Sequence, residues 1–318
     1  QEGIHMNLTS PDEFLLLSLS ASPSLRIPLF LLFLFVYLVT LLGNLVMLSM
    51  IVVDPRLHSP MYLLLCNLSL VDVCFTSTTI PTLLSSLISN TRSISVLPCF
   101  TQMFCFISFG NLENNLLAVM AYDRYVAICR PLQYAMLMRN NLCIALVFIS
   151  WVGAGAHALL HTFMVVTLDF SSVNIVNHFF CEISQVLSIS TSDTTINKML
   201  ILTEGAASVG TPFICIISTY VKILLALFWT HSRDGRRKAF STCSSHLTTV
   251  CLFYGTIVSV YFRPYAGSSG VGERAATVGY TLLTPMLNPF IYGLRNKAMK
   301  KAMEKMLKWK SPTEGIKH

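Results

Sequence analysis

The chain has 318 residues, 53% of them hydrophobic and only 12% charged, and carries a formal net charge of +7. So apolar a composition, with a mean hydropathy of +0.63, leaves a soluble all-α core as a remote alternative to a helical membrane protein. The positive charge carries no nucleic-acid footprint and reports membrane topology instead.

Residues 1–26 read as a tail. Their start lacks a basic region followed by an apolar run and a small-residue cleavage site, so no cleavable signal peptide is expected and the first span directs insertion itself. Asn7-Leu8-Thr9 is a glycosylation sequon in that tail. Seven apolar stretches follow, at roughly 27–53, 60–88, 97–122, 142–168, 199–221, 239–262 and 275–294. Each supplies the ~20 residues that a helix needs to cross a hydrocarbon core about 30 Å thick. Helices are required because lipid offers backbone N–H and C=O groups no partner, and the alternation of a β-barrel is absent. A second sequon, Asn67-Leu68-Ser69, lies inside the second span, where no transferase reaches. The expected fold is an all-α seven-helix membrane bundle over 27–294, one compact unit without repeats, followed by a cytoplasmic segment at 295–318.

Basic residues alternate between the connections. Arg56 follows the first span; Arg124, Arg130 and Arg139 the third; Lys222, Arg233, Arg236, Arg237 and Lys238 the fifth; and eight more lie between Arg295 and Lys317. Those account for 17 of the 22 basic residues, leaving Arg26, Arg92, Lys198, Arg263 and Arg274 for the other side. The positive-inside rule sets the C-terminus in the cytoplasm and the N-terminus outside.

Of ten cysteines, only Cys99, at the outer start of span three, and Cys181, in the connection before span five, sit in an oxidising compartment. A bridge between them would pin that connection across the mouth of the bundle. Within it, Phe179-Phe180-Cys181-Glu182-Ile183 is apolar enough to fold down as a lid. After Leu294, Met299, Ala302, Met303, Met306 and Leu307 fall at helical spacing, with Lys300, Lys301, Lys305 and Lys308 opposite. That pattern predicts an amphipathic helix on the inner leaflet, the alternative being a solvated charge run.

The spans hold three carboxylates, Asp72, Glu113 and Glu204, and no Lys or Arg. A carboxylate at membrane depth costs several kcal/mol unless protonated, hydrated or paired. A small cation or a proton is the natural partner for Asp72 and Glu113; interhelical hydrogen bonding is the competing reading. Glu113 shares a helical face with Phe106, whereas Ile107, Asn111, Asn114 and Ala118 mark another. His157 and His161 are one turn apart and could meet a metal, but no Glu stands between them as in an H-E-x-x-H site, and packing or pocket lining is the alternative. No phosphate-binding loop, G-x-S-x-G or dinucleotide fingerprint appears where it could work, so an enzyme is not expected.

The local motifs are more specific. Met120-Ala121-Tyr122-Asp123-Arg124-Tyr125-Val126-Ala127-Ile128-Cys129 ends span three, Lys238-Ala239-Phe240-Ser241-Thr242-Cys243 enters span six, and Pro285-Met286-Leu287-Asn288-Pro289-Phe290-Ile291-Tyr292 lies in span seven. With Gly43-Asn44, Pro60-Met61-Tyr62, Leu68-Ser69-Leu70-Val71-Asp72, Trp151 and Ser218-Thr219-Tyr220, the chain resembles, from about residue 14 to 308, the olfactory receptors among the rhodopsin-like G-protein-coupled receptors, of the tetrapod-type class and close to its first family.

The resemblance implies a multi-pass plasma-membrane receptor that binds a small volatile molecule and activates a stimulatory heterotrimeric G protein, raising cAMP. Asp123, Arg124, Tyr125, Tyr220, Asn288, Pro289 and Tyr292 would form the activation switch, and Asp72 with Glu113 a sodium site, the one ion implied in the absence of any other cofactor. Ligand would be lined by Phe106, Ile107, Gly110, Asn111 and Asn114 on span three, Glu204 and Ser208 on span five, Tyr254, Val258 and Tyr261 on span six, and Tyr280 and Thr281 on span seven, with Asn111 and Tyr261 as polar anchors. The family's second loop bridge falls here on Ser171 and Thr191, so that bridge is absent and the lid is expected to be less constrained. Two alternatives remain: a non-olfactory rhodopsin-like receptor for another small ligand, disfavoured for amines by Phe106, and a transporter, disfavoured by the lack of inverted repeats.

Overall fold

A computed structural model describes residues 13–17, 23–89, 93–170, 174–229, 232–261, 270–293 and 296–309. Asn7, Ser171 and Leu294 lie outside them, as do the side chains of Lys238, Tyr261, Tyr280, Lys297, Met306, Leu307 and Lys308.

Among these residues the chain builds helices α1 (Pro23–Val53), α2 (Pro60–Ile88), α3 (Val96–Cys129), α4 (Asn140–Val166), α5 (Thr195–Trp229), α6 (Arg233–Tyr261), α7 (Gly270–Gly293) and α8 (Lys297–Trp309). α3 is the axis, packed against α2, α4, α5 and α6, while α1 and α7 close the ring beside α2 and α6. Several helices outrun the apolar windows that announced them. α3 continues through Cys129 because its last turns, with Asp123 and Arg124, are held by side-chain partners rather than by lipid.

The surface is inverted relative to a soluble protein. α1 exposes Ile27, Leu31, Leu32, Phe35, Leu38 and Leu42, whereas α2 buries Ser69, Asp72, Thr76 and Thr79. Apolar groups outward and polar groups inward is the arrangement that hydrocarbon, not water, stabilises. α1, α2, α4 and α5 are long and apolar enough to cross a membrane by themselves. α3 and α6 match them in length but carry charges toward one end, Asp123 and Arg124 in α3 and Arg233, Asp234, Arg236 and Arg237 in α6.

Prolines shape the packing. Pro289 in α7 has no N–H to give the carbonyl of Pro285 one turn back, and Asn44 of α1 supplies the donor instead, Nδ2 to Pro285 O at 3.0 Å. Gly43 makes that approach possible, since a Cβ there would stand 3.2 Å from Pro289 Cβ and Cγ.

One end of the bundle is covered. Strands β1 (Glu13–Leu16), β2 (Ser93–Ser95) and β3 (Ile175–Val176) form a sheet in the order β2-β1-β3, antiparallel for the first pair and parallel for the second. Residues 13–16 carry no strand signal of their own, because four residues of alternating burial make too short a period. Phe14 and Leu16 face inward and pack on Phe100, Met103, Phe170 and Val176. Phe179, Phe180 and Cys181 are fully buried, so the lid expected from their apolar run exists. Cys181 is joined to Cys99 by a disulfide.

Where the family's second loop bridge is missing, hydrogen bonds close the loop. Phe170 pairs with Ser190, Thr191 N donates to Asp169 O at 2.9 Å, Ser190 Oγ donates to the same carbonyl at 2.9 Å, and Asp169 N donates to Ser192 Oγ at 2.9 Å. At the opposite end α8 buries Met299 and Ala302 and exposes Lys300, Lys301 and Lys305.

Candidate functional site

Three layers of polar and aromatic groups run along α3. Nearest the lid, Phe106 lies between Phe75 of α2 and Phe180 of the lid, ring centroids 5.1 and 4.7 Å away. Gln102, one turn nearer the lid, ties it down: its Nε2 donates to Thr78 O at 2.8 Å and its Oε1 accepts from Cys181 N at 3.0 Å. Ile107 packs under the sheet. Asn111 donates to Ile107 O in its own helix at 3.2 Å. Asn114 is buried and both ends of its amide are engaged, Nδ2 to Ser208 O at 3.1 Å and Oδ1 from the Tyr254 hydroxyl. That amide joins α3, α5 and α6, which agrees with the interhelical reading.

The other expected lining residues are spread more widely. Gly110 and Ser208 are half-buried, and Thr281 is buried with its hydroxyl turned back onto Thr277 O at 3.0 Å. Val258 exposes 52% of its surface. Glu204 leaves the α3 layer altogether and meets His157 and His161 of α4, at 2.7 and 2.8 Å.

The middle layer holds the buried acids. Asn288 Nδ2 donates to Asp72 Oδ2 at 2.9 Å and Thr249 Oγ1 donates to Asn288 Oδ1 at 3.3 Å, so α2, α6 and α7 share one chain of hydrogen bonds. Asp72 of α2 and Glu113 of α3 are both buried in this layer. Among the described residues, Asp72 Oδ1 and Glu113 Oε1 are enclosed without hydrogen-bond partners, as are Asn44 Oδ1 and Ser69 Oγ. A buried oxygen left unpaired is costly, and several oxygens of this kind form a donor set suited to a small hard cation.

The third layer is at the end opposite the lid. Asp123 is fully buried; Arg124 donates to its Oδ2 at 2.5 Å and Tyr134 to its Oδ1 at 2.6 Å. Burial, with the charge of Asp123 adding, pushes the Tyr134 phenol above its ordinary range, so the hydroxyl keeps the proton it donates. Arg124 lines a cavity of about 270 Å³ with Met61, Met120, Ser245, His246 and Tyr292. His246 was not anticipated. Its Nε2 faces Leu117 O at 3.0 Å and its Nδ1 the Tyr220 hydroxyl at 2.7 Å. Since a carbonyl only accepts, Nε2 carries the hydrogen and Tyr220 donates to Nδ1, which assigns the tautomer. One imidazole thereby clamps α3, α5 and α6. The Tyr292 hydroxyl is enclosed near Thr249, Tyr125 carries Lys222 Nζ 5.6 Å above its ring, and Pro289 lies close against Gly43 of α1 as described.

His246, Gln102 and Tyr134 carry little signal in the sequence. A single histidine or glutamine on an apolar span reads as packing, and only the fold shows that each faces main-chain groups of other elements. Asn67 of the second sequon is inside the bundle as expected, accepting from Trp151 Nε1 at 3.3 Å.

The comparisons with known proteins agree with this architecture. A family model described as olfactory receptor matches residues 33–310. Olfactory receptor 1f45 of Rattus norvegicus is 49% identical over 97% of this chain and 98% of its own length. Olfactory receptor 1F1 of Homo sapiens is 48% identical over 95% and 96%. The structure of squid rhodopsin superposes with a TM-score of 0.74 over 94% of this chain and 89% of that one, at 13% identity, which speaks to the seven-helix fold alone. With family model, full-length relatives and fold in accord, the chain belongs to the olfactory receptor family, a signalling receptor and not an enzyme.

Proposed function

We propose that the chain captures a small volatile odorant in the outer half of the bundle, beneath the lid, and activates a stimulatory heterotrimeric G protein at the Arg124 end, raising cAMP. The lid then faces outside with the N-terminus and the C-terminus is cytoplasmic, an orientation that the one-sided distribution of basic residues supports. The observation that carries this reading is that one helix, α3, bears both Phe106 against the lid and Arg124 at the wall of the opposite cavity. A ligand that favours another packing of α3, α5 and α6 would shift the population in which Arg124 is freed from Asp123.

Aromatic faces around Phe106 suit an apolar molecule, and burying a few hundred Å² at about 25 cal/mol/Å² gives modest affinity. Asn111, whose amide is spent on no other helix among the hydrogen bonds described, and Tyr261 are the proposed polar anchors. Asp72 and Glu113 would hold a sodium ion, with the Asn44 and Ser69 oxygens beside it; the ion would neutralise the acids in the resting bundle.

A panel of volatile compounds on cells supplied with the olfactory stimulatory G protein tests the proposal. Odorant-dependent cAMP is expected, lost in Arg124→Ala at unchanged surface level and weakened in Asn111→Leu and Tyr261→Phe. No response to any compound at good surface level, or a response indifferent to Arg124→Ala, overturns it.

A further inference from the structure

We propose that His157 and His161 of α4 and Glu204 of α5 form a binding site for a divalent transition-metal ion of the zinc class. Histidines one helical turn apart present both rings on one face, and here their centroids lie 4.6 Å apart. Three donor atoms from the two helices, one from each residue, fall within 4.8 Å of one another. His157 Nδ1 meets Glu204 Oε1 at 2.7 Å and His161 Nε2 meets Oε2 at 2.8 Å.

A second feature aims the carboxylate. Within α5 the backbone takes a π-turn at Ile201–Gly205, a local widening that recurs at functional sites and rotates the residues inside it relative to a regular helix. Glu204 sits in that turn and points at α4, while its neighbours Leu202 and Thr203 are exposed outward. The Ser208 carbonyl, one turn on, accepts from the Asn114 amide, so the site adjoins the polar network of the core.

The donor chemistry selects the ion. Two imidazole nitrogens and one carboxylate oxygen suit zinc-like ions; calcium and magnesium demand oxygen shells with more ligands. Around a tetrahedral ion bound at about 2.0–2.1 Å the donors would stand roughly 3.3 Å apart, so the two close His–Glu contacts must open by about half an ångström and the wider donor spacing, up to 4.8 Å, must narrow. The Glu204 side chain, 39% exposed, has room to turn. Three protein ligands leave a fourth position for water. The imidazoles are 11% and 5% exposed, so the ion would be shielded from the bulk on the α4 side.

The competing account is a hydrogen-bonded triad that holds α4 to α5 and takes no ion. Calorimetric titration of tag-free, full-length receptor in detergent with ZnCl₂, together with the absorption spectrum after addition of Co²⁺, separates the two. One saturable Zn²⁺ equivalent is expected, with a melting temperature that rises with Zn²⁺ concentration and a Co²⁺ spectrum of tetrahedral type. His161→Ala and Glu204→Gln should each weaken Zn²⁺ binding by roughly tenfold or more. A wild-type receptor that takes up no Zn²⁺, or variants that bind it as tightly as wild type, overturns the site. The ion alone is the probe, so the outcome is independent of any odorant response, and the variants assign the uptake to this cluster rather than to the free cysteines.

Discussion

Replacing Asn44 with leucine tests how α7 tolerates its proline. Pro289 cannot donate to the Pro285 carbonyl, and the Asn44 amide fills that vacancy at 3.0 Å in a fully buried site. Leucine has the same branched skeleton but no donor, so Asn44→Leu leaves a buried carbonyl unsatisfied at a cost of about 1–3 kcal/mol. At about 2–4 °C of melting temperature per kcal/mol, the purified receptor should melt several degrees lower, measured by the thermal unfolding of detergent-solubilised protein. The decisive comparison is a double-mutant cycle. Pro289→Ala restores an N–H on α7 that can reach the Pro285 carbonyl within the helix, so Asn44→Leu should cost about 1 kcal/mol less in that background than in the natural one. Equal losses in both backgrounds would refute the claim that Asn44 serves the proline.

Two further outcomes follow from the opposite end of the molecule. His246→Phe keeps the ring that stacks on Tyr220 but removes both hydrogen bonds of the clamp, at about 1 kcal/mol each, and should raise ligand-independent cAMP several-fold per receptor at the surface; unchanged basal output at matched surface level would sink this account of the resting state. Between α1 and α2, the Arg56 guanidinium hydrogen-bonds Asp54 and holds its carboxyl down to about 2 from the usual 3.8. A depressed carboxyl contributes stability that is complete above its unfolded value and lost as pH falls toward the folded one. The melting difference between wild type and Arg56→Gln should therefore stay constant from pH 5 to 8 and shrink below pH 4; a difference that varies across the neutral range would contradict the assignment.

The sequence alone determined the solvent of this protein and the number of times it meets it. Runs of about 20 apolar residues admit only helices in lipid, and the motifs around Arg124 and Asn288 are local enough to be read from neighbours in the chain. The bridge from Cys99 to Cys181 was legible because compartment, not geometry, left those two thiols together. What the sequence could not state is which helix each polar side chain faces, because that depends on helix rotation and offset. Glu204 reads as a pocket residue by position, yet the π-turn carries it to His157 and His161. Asn114 reads as a ligand contact, yet Ser208 and Tyr254 occupy its amide. Asn44 was legible as part of a motif, but its partner, like those of Gln102 and His246, is a main-chain carbonyl or N–H that only packing brings to it. In a medium that offers no hydrogen bonds, those encounters between distant residues fix how the helices sit against one another, and only the assembled bundle creates them.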